Sequence, residues 1–377
     1  MAVFTIIGWY GTETIGDRAI LGGILSVCSQ VCDSLEIYLG SLFPVYTERA
    51  LAEDDLFYRE CVGRKALSFH VFDVRNCFLL RRMVRRSDLL IMGGGPLMDL
   101  KALAIIHYAF MVAKSRRIKT MLCGCGWGPL NQKEYVDLTC KIIALADHVV
   151  MRDLISKEQV TRYAGEKAAC KTKCGCDPAL IACQVFRHSH PTEKKGGYVA
   201  INFRDMRIVN GNADYSQLSR VLENVMRFHE DVRLVPMHSF CSGGDDRYLF
   251  HHLKHNVLRE QLKITIYDDP PSLSQVMDIY QSADYCIGMR FHSILLQLAL
   301  NGAVWVLDYT SPETGKIIGL LKLCGFLDAC SEQYRSLVKG DDITDVGTHA
   351  PSRFAMPNDL IDSAKTIYVS EFESALK

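Results

Sequence analysis

Apolar runs short enough for strands alternate with longer stretches of helical period along nearly the whole chain, the arrangement that builds a parallel sheet with helices on its faces. In the first half, the runs at 3–8, 34–39, 88–92, 119–124 and 147–150 predict strands. The stretches 17–31, 75–86, 99–115, 132–146 and 153–163 predict the helices. The pattern breaks at 184–197, where Arg187-His188-Ser189-His190-Pro191-Thr192-Glu193-Lys194-Lys195-Gly196-Gly197 is polar, charged and closed by glycines, and reads as a linker. It restarts with Tyr198-Val199-Ala200-Ile201-Asn202-Phe203. Strands follow near 231–236, 262–267, 284–288 and 303–307, with helices at 214–229, 244–258, 272–282, 292–301 and 313–324. The segment after Pro357 predicts a final helix. The same plan therefore occurs twice: an N-terminal α/β lobe over 1–186, a C-terminal α/β lobe over 197–350, and a helix over 357–377 that packs back on the first lobe.

A length of 377 residues suits two such lobes better than one core. The 43 basic and 43 acidic residues cancel, so no net field marks a nucleic-acid partner, and none is expected. No apolar run reaches the roughly 18 residues that span a bilayer. The apolar N-terminus has no basic leader and turns glycine-rich at Gly8, so it reads as a first strand. Fifteen cysteines sit largely inside apolar runs, as reduced thiols used as small hydrophobes do, which points to the cytoplasm. The spacing of Cys123, Cys125, Cys170, Cys174 and Cys176 is too irregular for a zinc site, and no metal is expected. Arg81-Arg82 with Arg85-Arg86, and Lys114 with Arg116-Arg117, form basic clusters on predicted helices. They read first as solvated faces and second as docking beside anionic lipid or a lipid-diphosphate acceptor, at the inner face of the cytoplasmic membrane.

Open α/β sheets bind ligands where strands end and helices begin, because helix N-termini offer free N–H groups and the positive end of a dipole. The first lobe has Gly8–Asp17 after strand one, with Gly16 and Asp17 at the helix start. It also has Gly93-Gly94-Gly95 followed by Asp99, a candidate cradle for an anion or a sugar. Arg152 ends another strand and reads as the partner of a local carboxylate, with Asp153 as a helix cap. In the second lobe Arg204, His238 (with Asp245 and Asp246 beginning a helix) and Arg290-Phe291-His292-Ser293 all follow strands. Two arginines and two histidines at successive strand ends suit a multiply charged anion.

The ordered set of these motifs resembles the polysaccharide pyruvyl transferase family. The set comprises Gly16-Asp17, Gly93-Gly94-Gly95 with Asp99, Gly126-Trp127-Gly128-Pro129-Leu130, Arg152-Asp153-x-x-Ser156 and Asp177-Pro178-Ala179-Leu180. It continues with Asn202-Phe203-Arg204, His238 with Asp245-Asp246, Arg290-Phe291-His292-Ser293, and Tyr309 with Lys316 and Gly319. The resemblance implies two Rossmann-like lobes of the glycosyltransferase B type, with the active site in the inter-domain cleft. It implies phosphoenolpyruvate as co-substrate, no cofactor, and a sugar acceptor that is lipid-diphosphate-linked in one reading. Peripheral membrane contact and a homo-oligomer are compatible with it. By carry-over, Arg204, Arg290, His292 and Ser293 bind the donor, with His292, His238 and Arg290 catalytic. Gly16, Asp17, Gly94, Gly95 and Asp99 then belong to the acceptor side. This chain has Thr14 where many members have asparagine. A nucleotide-sugar glycosyltransferase and a non-catalytic glycan-assembly protein are the competing readings.

Overall fold

The computed structural model describes residues 2–93, 95–192, 196–206, 215–240, 243–257 and 263–377. The chain divides into two compact units: Met1–Thr12, Asp17–Val185 and Pro357–Lys377 form one, Glu13–Gly16 and Phe186–Met356 the other.

The first unit holds β1 (Ala2–Ile7), β2 (Ser34–Ser41), β3 (Ala66–Asp73), β4 (Leu89–Met92), β5 (Pro96–Leu97), β6 (Lys119–Trp127), β7 (His148–Met151) and β8 (Thr172–Cys174). They form one parallel sheet in the order β3-β2-β1-β4-β6-β7-β8, with the short β5 on β6. β4 is buried along its whole length and reads as an unbroken Leu-Leu-Ile-Met run, as strands covered on both faces do. The helices Leu103–Ser115 and Lys133–Leu145 cover one face, with Phe110 and Ile142 in a core shared with Met92, Leu122 and Val149. The final helix, Asn358–Ala375, is tied into this unit. Tyr368 donates to the Cys176 carbonyl, Glu371 bonds His148 at 2.8 Å, and the Phe372 ring lies 6.2 Å from Phe4.

The second unit holds β9 (Tyr198–Ile201), β10 (Asp231–Leu234), β11 (Lys263–Ile266), β12 (Tyr285–Gly288), β13 (Val304–Asp308) and β14 (Tyr334–Ser336), parallel in the order β11-β10-β9-β12-β13-β14. In both sheets the order reverses beside the first strand, which pairs with the second on one side and the fourth on the other. These reversal points are where open α/β sheets hold ligands.

Several elements depart from the sequence reading. The expected break at 184–197 is crossed by the helix Pro178–Ser189, in which Phe186 is buried while Arg187 and His188 are exposed. Its polar end is therefore a solvated helix face. β3 was not expected: it is an edge strand whose residues are mostly half-exposed or exposed, so its apolar pattern is diluted by Ser68, His70 and Asp73. The helices Pro44–Glu53 and Asp55–Val62 and the three-residue strands β8 and β14 were also missed. The helix expected from residue 99 begins at Leu103, and the one expected over 75–86 is Cys77–Val84. Expectations for Gly94, 193–195, 241–242, and the ends of the elements at 214, 258 and 262 lie outside the described residues.

Candidate active site

The second unit's strands end level with one another. Ile201 of β9 pairs with Leu234 of β10 and Ile287 of β12, and Gly288 of β12 pairs with Val306 of β13. Asn202, His238, Arg290 and Tyr309 consequently leave the same edge of the sheet. Asn202 is fully buried and joins three of these exits. Its Nδ2 donates to the Val235 carbonyl at 3.0 Å and to Asp246 Oδ2 at 3.3 Å, and its Oδ1 accepts from Arg290 N at 3.1 Å.

Asp246, which opens the helix Asp246–Val257, is equally buried and is the hub of this edge. Its Oδ2 accepts from Met237 N and His238 N at 3.1 and 3.3 Å. Arg290 grips both carboxylate oxygens: Nε donates at 2.8 and 2.9 Å, and Nη2 donates to Oδ1 at 2.6 Å and to the Gly244 carbonyl at 3.0 Å. Arg290 was expected to spend its charge on a donor anion. Much of it is spent on Asp246, the price of burying a guanidinium.

The cations that remain converge on Tyr309, just past the end of β13. Arg204 Nη1 donates to the Tyr309 hydroxyl at 2.7 Å with its guanidinium carbon 4.8 Å from the ring centre, and Lys316 Nζ lies 5.8 Å from that centre. Burial alone raises a phenol's pKa, but Lys316, Arg204 and Arg290 outweigh it and bring Tyr309 down to about 8. Arg204 Nε is buried with no hydrogen-bond partner among the described residues. Lys316 had been noted only as part of a motif. The strand-end rule, applied to β13 as it was to β9 and β12, would have found it, because Lys316 is the first residue of the helix Lys316–Leu323.

His292 lies in the first turn of the helix Phe291–Leu300, which Arg290 precedes as its N-cap. Its ring is packed against Gly16: a Cβ built on Gly16 would fall on Nδ1 and Cγ of His292. Gly16 was expected on the acceptor side, yet it belongs to the second unit with the rest of Glu13–Gly16. Hydrogen bonds pin that short segment there. Ile15 N donates to the Met237 carbonyl at 3.2 Å, Ser239 N donates to the Glu13 carbonyl at 3.2 Å, and Thr14 Oγ1 lies 3.0 Å from His238 Nδ1. Ser293, expected to touch the donor, is fully buried and faces inward. Its hydroxyl is 3.1 Å from that of Tyr280 and accepts from Gln297 Nε2 at 2.8 Å.

In the first unit, Asp17 is buried in the first turn of the helix Ile15–Val31, so it is not that helix's N-cap. Gly95 has φ +72 and sits close to Trp9 and Asp17: a Cβ there would lie 2.9 Å from Trp9 Cδ1 and 3.5 Å from Asp17 Oδ1. Neighbouring aromatics brace this loop, since Trp9 Nε1 donates to the Pro96 carbonyl at 2.9 Å and Tyr10 donates to the Gly93 carbonyl. Asp99 Oδ2 accepts from Asn131 N at 2.8 Å, and its Oδ1 is buried with no hydrogen-bond partner among the described residues. Arg152 pairs with Asp177 at 3.3 Å, both buried, and lies so close to Gly126 that a side chain there would strike the guanidinium. Asp153 caps its helix by accepting from Ser156 N at 2.7 Å.

Two parallel sheets of this order, each with its polar residues gathered at the strand ends, define a protein of the glycosyltransferase B class of folds. Solved structures agree. A putative UDP-N-acetylglucosamine 2-epimerase from Listeria monocytogenes matches with TM-score 0.59 at 8% identity over 100% of this chain and 97% of its own. The UDP-GlcNAc 2-epimerase of Methanocaldococcus jannaschii, in complex with UDP-GlcNAc and UDP, matches with TM-score 0.54 at 10% identity over 97% and 99%. A glycosyltransferase from Rickettsia africae matches with TM-score 0.50 at 11% identity over 100% and 96%. No curated protein sequence matches the chain significantly. The family model of the polysaccharide pyruvyl transferases matches residues 15–311, and the chain belongs to that family.

Proposed function

We propose that the protein forms a pyruvate ketal on a sugar of a polysaccharide or lipid-linked glycan precursor, with phosphoenolpyruvate as donor. The observation that carries this reading is the convergence of Arg204, Lys316 and Arg290 on Tyr309 at the sheet edge. A cluster of two arginines and a lysine complements a substrate bearing a carboxylate and a phosphate, and Arg204 Nε is a buried donor with no hydrogen-bond partner among the described residues. In the reaction, the enol carbon takes a proton and one sugar hydroxyl attacks the adjacent carbon. The bond from that carbon to the phosphate oxygen then breaks, and a second hydroxyl closes the ketal. The two hydroxyl protons balance the one gained by carbon and the one taken by phosphate. An imidazole can both give and take a proton, which suits His292 as the acid, with His238 as helper. Asp17, Gly95 and Asp99 are assigned to the acceptor.

Mass spectrometry of sugar acceptors incubated with phosphoenolpyruvate tests the reaction: a mass gain of pyruvate less water is expected. Phosphoenolpyruvate should also raise the melting temperature, whereas stabilisation by nucleotide sugars alone would favour the glycosyltransferase reading. Arg204→Ala should raise KM for phosphoenolpyruvate roughly ten- to a hundredfold, the value of losing charge-assisted hydrogen bonds of about 1.5–3 kcal/mol. An unchanged KM would remove Arg204 from the donor site.

Tyr309 gives the site a pH dependence. Its folded pKa of about 8 lies below the ordinary 10. The phenolate therefore stabilises the fold fully above about pH 10, and that contribution is lost as pH falls through about 8. A phenolate also competes with a bound anion for the same cations. KM for phosphoenolpyruvate should rise as pH climbs past about 8, and Tyr309→Phe should flatten that rise. Phenolate absorbance should show one tyrosine titrating near 8 that is missing from the variant.

A further inference from the structure

The helix Cys77–Val84 of the first unit starts under an asparagine cap, Asn76 Oδ1 accepting from Phe78 N and Leu79 N at 3.1 and 3.2 Å. Leu80 and Val84 are its buried side. At about 100° per residue, Arg81, Arg85, Phe78 and Arg82 follow one another around the side turned from Leu80. All four are exposed, Phe78 by 82%. Among the described residues no carboxylate forms an ion pair with Arg81, Arg82 or Arg85. Arg81 and Arg82 lie in the last turn, where positive charge suits the helix dipole, but the like charges repel one another and no ion pair among the described residues offsets them. It is a concentrated basic spot on a chain whose total charge is zero.

We propose that this face docks the protein on an anionic membrane surface. Phe78 enters the boundary between headgroups and acyl chains, while the arginine stems lie along it and carry their guanidiniums to the lipid phosphates. An exposed ring centred among unpaired arginines fits a surface that is charged outside and apolar just beneath. Among the described residues no helix is long and apolar enough to cross a membrane, so the contact would be peripheral. The second basic cluster lacks these features, since Lys114 is already paired with Asp147 at 3.6 Å. The proposal stands independently of the donor chemistry.

The test is co-flotation of the full chain with phosphatidylcholine vesicles, with and without phosphatidylglycerol, at low and high salt. Binding is expected only with phosphatidylglycerol and should fall as salt rises. The Arg81→Glu/Arg85→Glu double variant should lower partitioning more than about tenfold, at roughly fivefold or more per charge. Phe78→Ser should lower it about tenfold, and Arg116→Glu should leave it little changed. All variants should melt within a few degrees of the wild type, since the altered side chains are exposed and a last-turn charge is worth about 1 kcal/mol or less. No binding to phosphatidylglycerol vesicles at low salt, or equal binding by the first two variants, would overturn the proposal. So would tight binding of a single-stranded RNA that these variants abolish while vesicles remain unbound.

Discussion

Asp246→Ala is expected to destabilise the second unit by about 3–5 kcal/mol and to remove turnover. The cost is that of leaving a largely buried guanidinium, its side chain 14% exposed, without its carboxylate. Two backbone N–H groups, Met237 N and His238 N, lose an acceptor at the same time. Without its clamp Arg290 is drawn towards Tyr309 or solvent, so the cation arrangement at the sheet edge is lost along with the stability. Asp246→Asn keeps one carbonyl acceptor and most of the packing, so it should destabilise less while still weakening the grip on Arg290. Chemical denaturation of the three proteins measures the difference. A loss below about 1 kcal/mol for the alanine variant would show that Asp246 is not the hub described.

Gly16→Ala should lower kcat roughly a hundredfold with little loss of stability. Gly16 is helical, so alanine suits its backbone; what alanine cannot do is share space with the His292 imidazole. The ring must move, and a displacement of about 1 Å at the imidazole proposed as the acid costs on the order of a hundredfold. A double-mutant cycle isolates the cause. With His292 already replaced by alanine, adding Gly16→Ala should cost almost nothing further, because the clash has no second partner. Additive losses would mean that Gly16 acts elsewhere.

Much of the architecture was legible in the chain. β1, β4, β6, β9, β12 and β13 are short apolar runs closed by glycine or polar residues, and that local signal survives because both faces of these strands are buried. The same signal fails at β3, where an edge position leaves the side chains half in water. It also fails at Arg187 and His188, where a charged helix end imitates a linker. The placing of Arg204, His238, Arg290 and His292 after strands followed from the same alternation, since strand ends are read one at a time.

The sequence by itself determined two α/β halves of repeated plan and the positions at which polar side chains leave each sheet, because burial on two faces imposes a pattern visible within a few residues. Only the tertiary structure decided who meets whom. The order β11-β10-β9-β12-β13-β14 sets Asn202 beside Asp246 and Arg290, and Arg204 beside Tyr309. Residues Glu13–Gly16 join a unit whose remaining chain begins at Phe186. Such pairings span tens to hundreds of residues, and strand order, on which they depend, leaves no mark in local hydrophobic period.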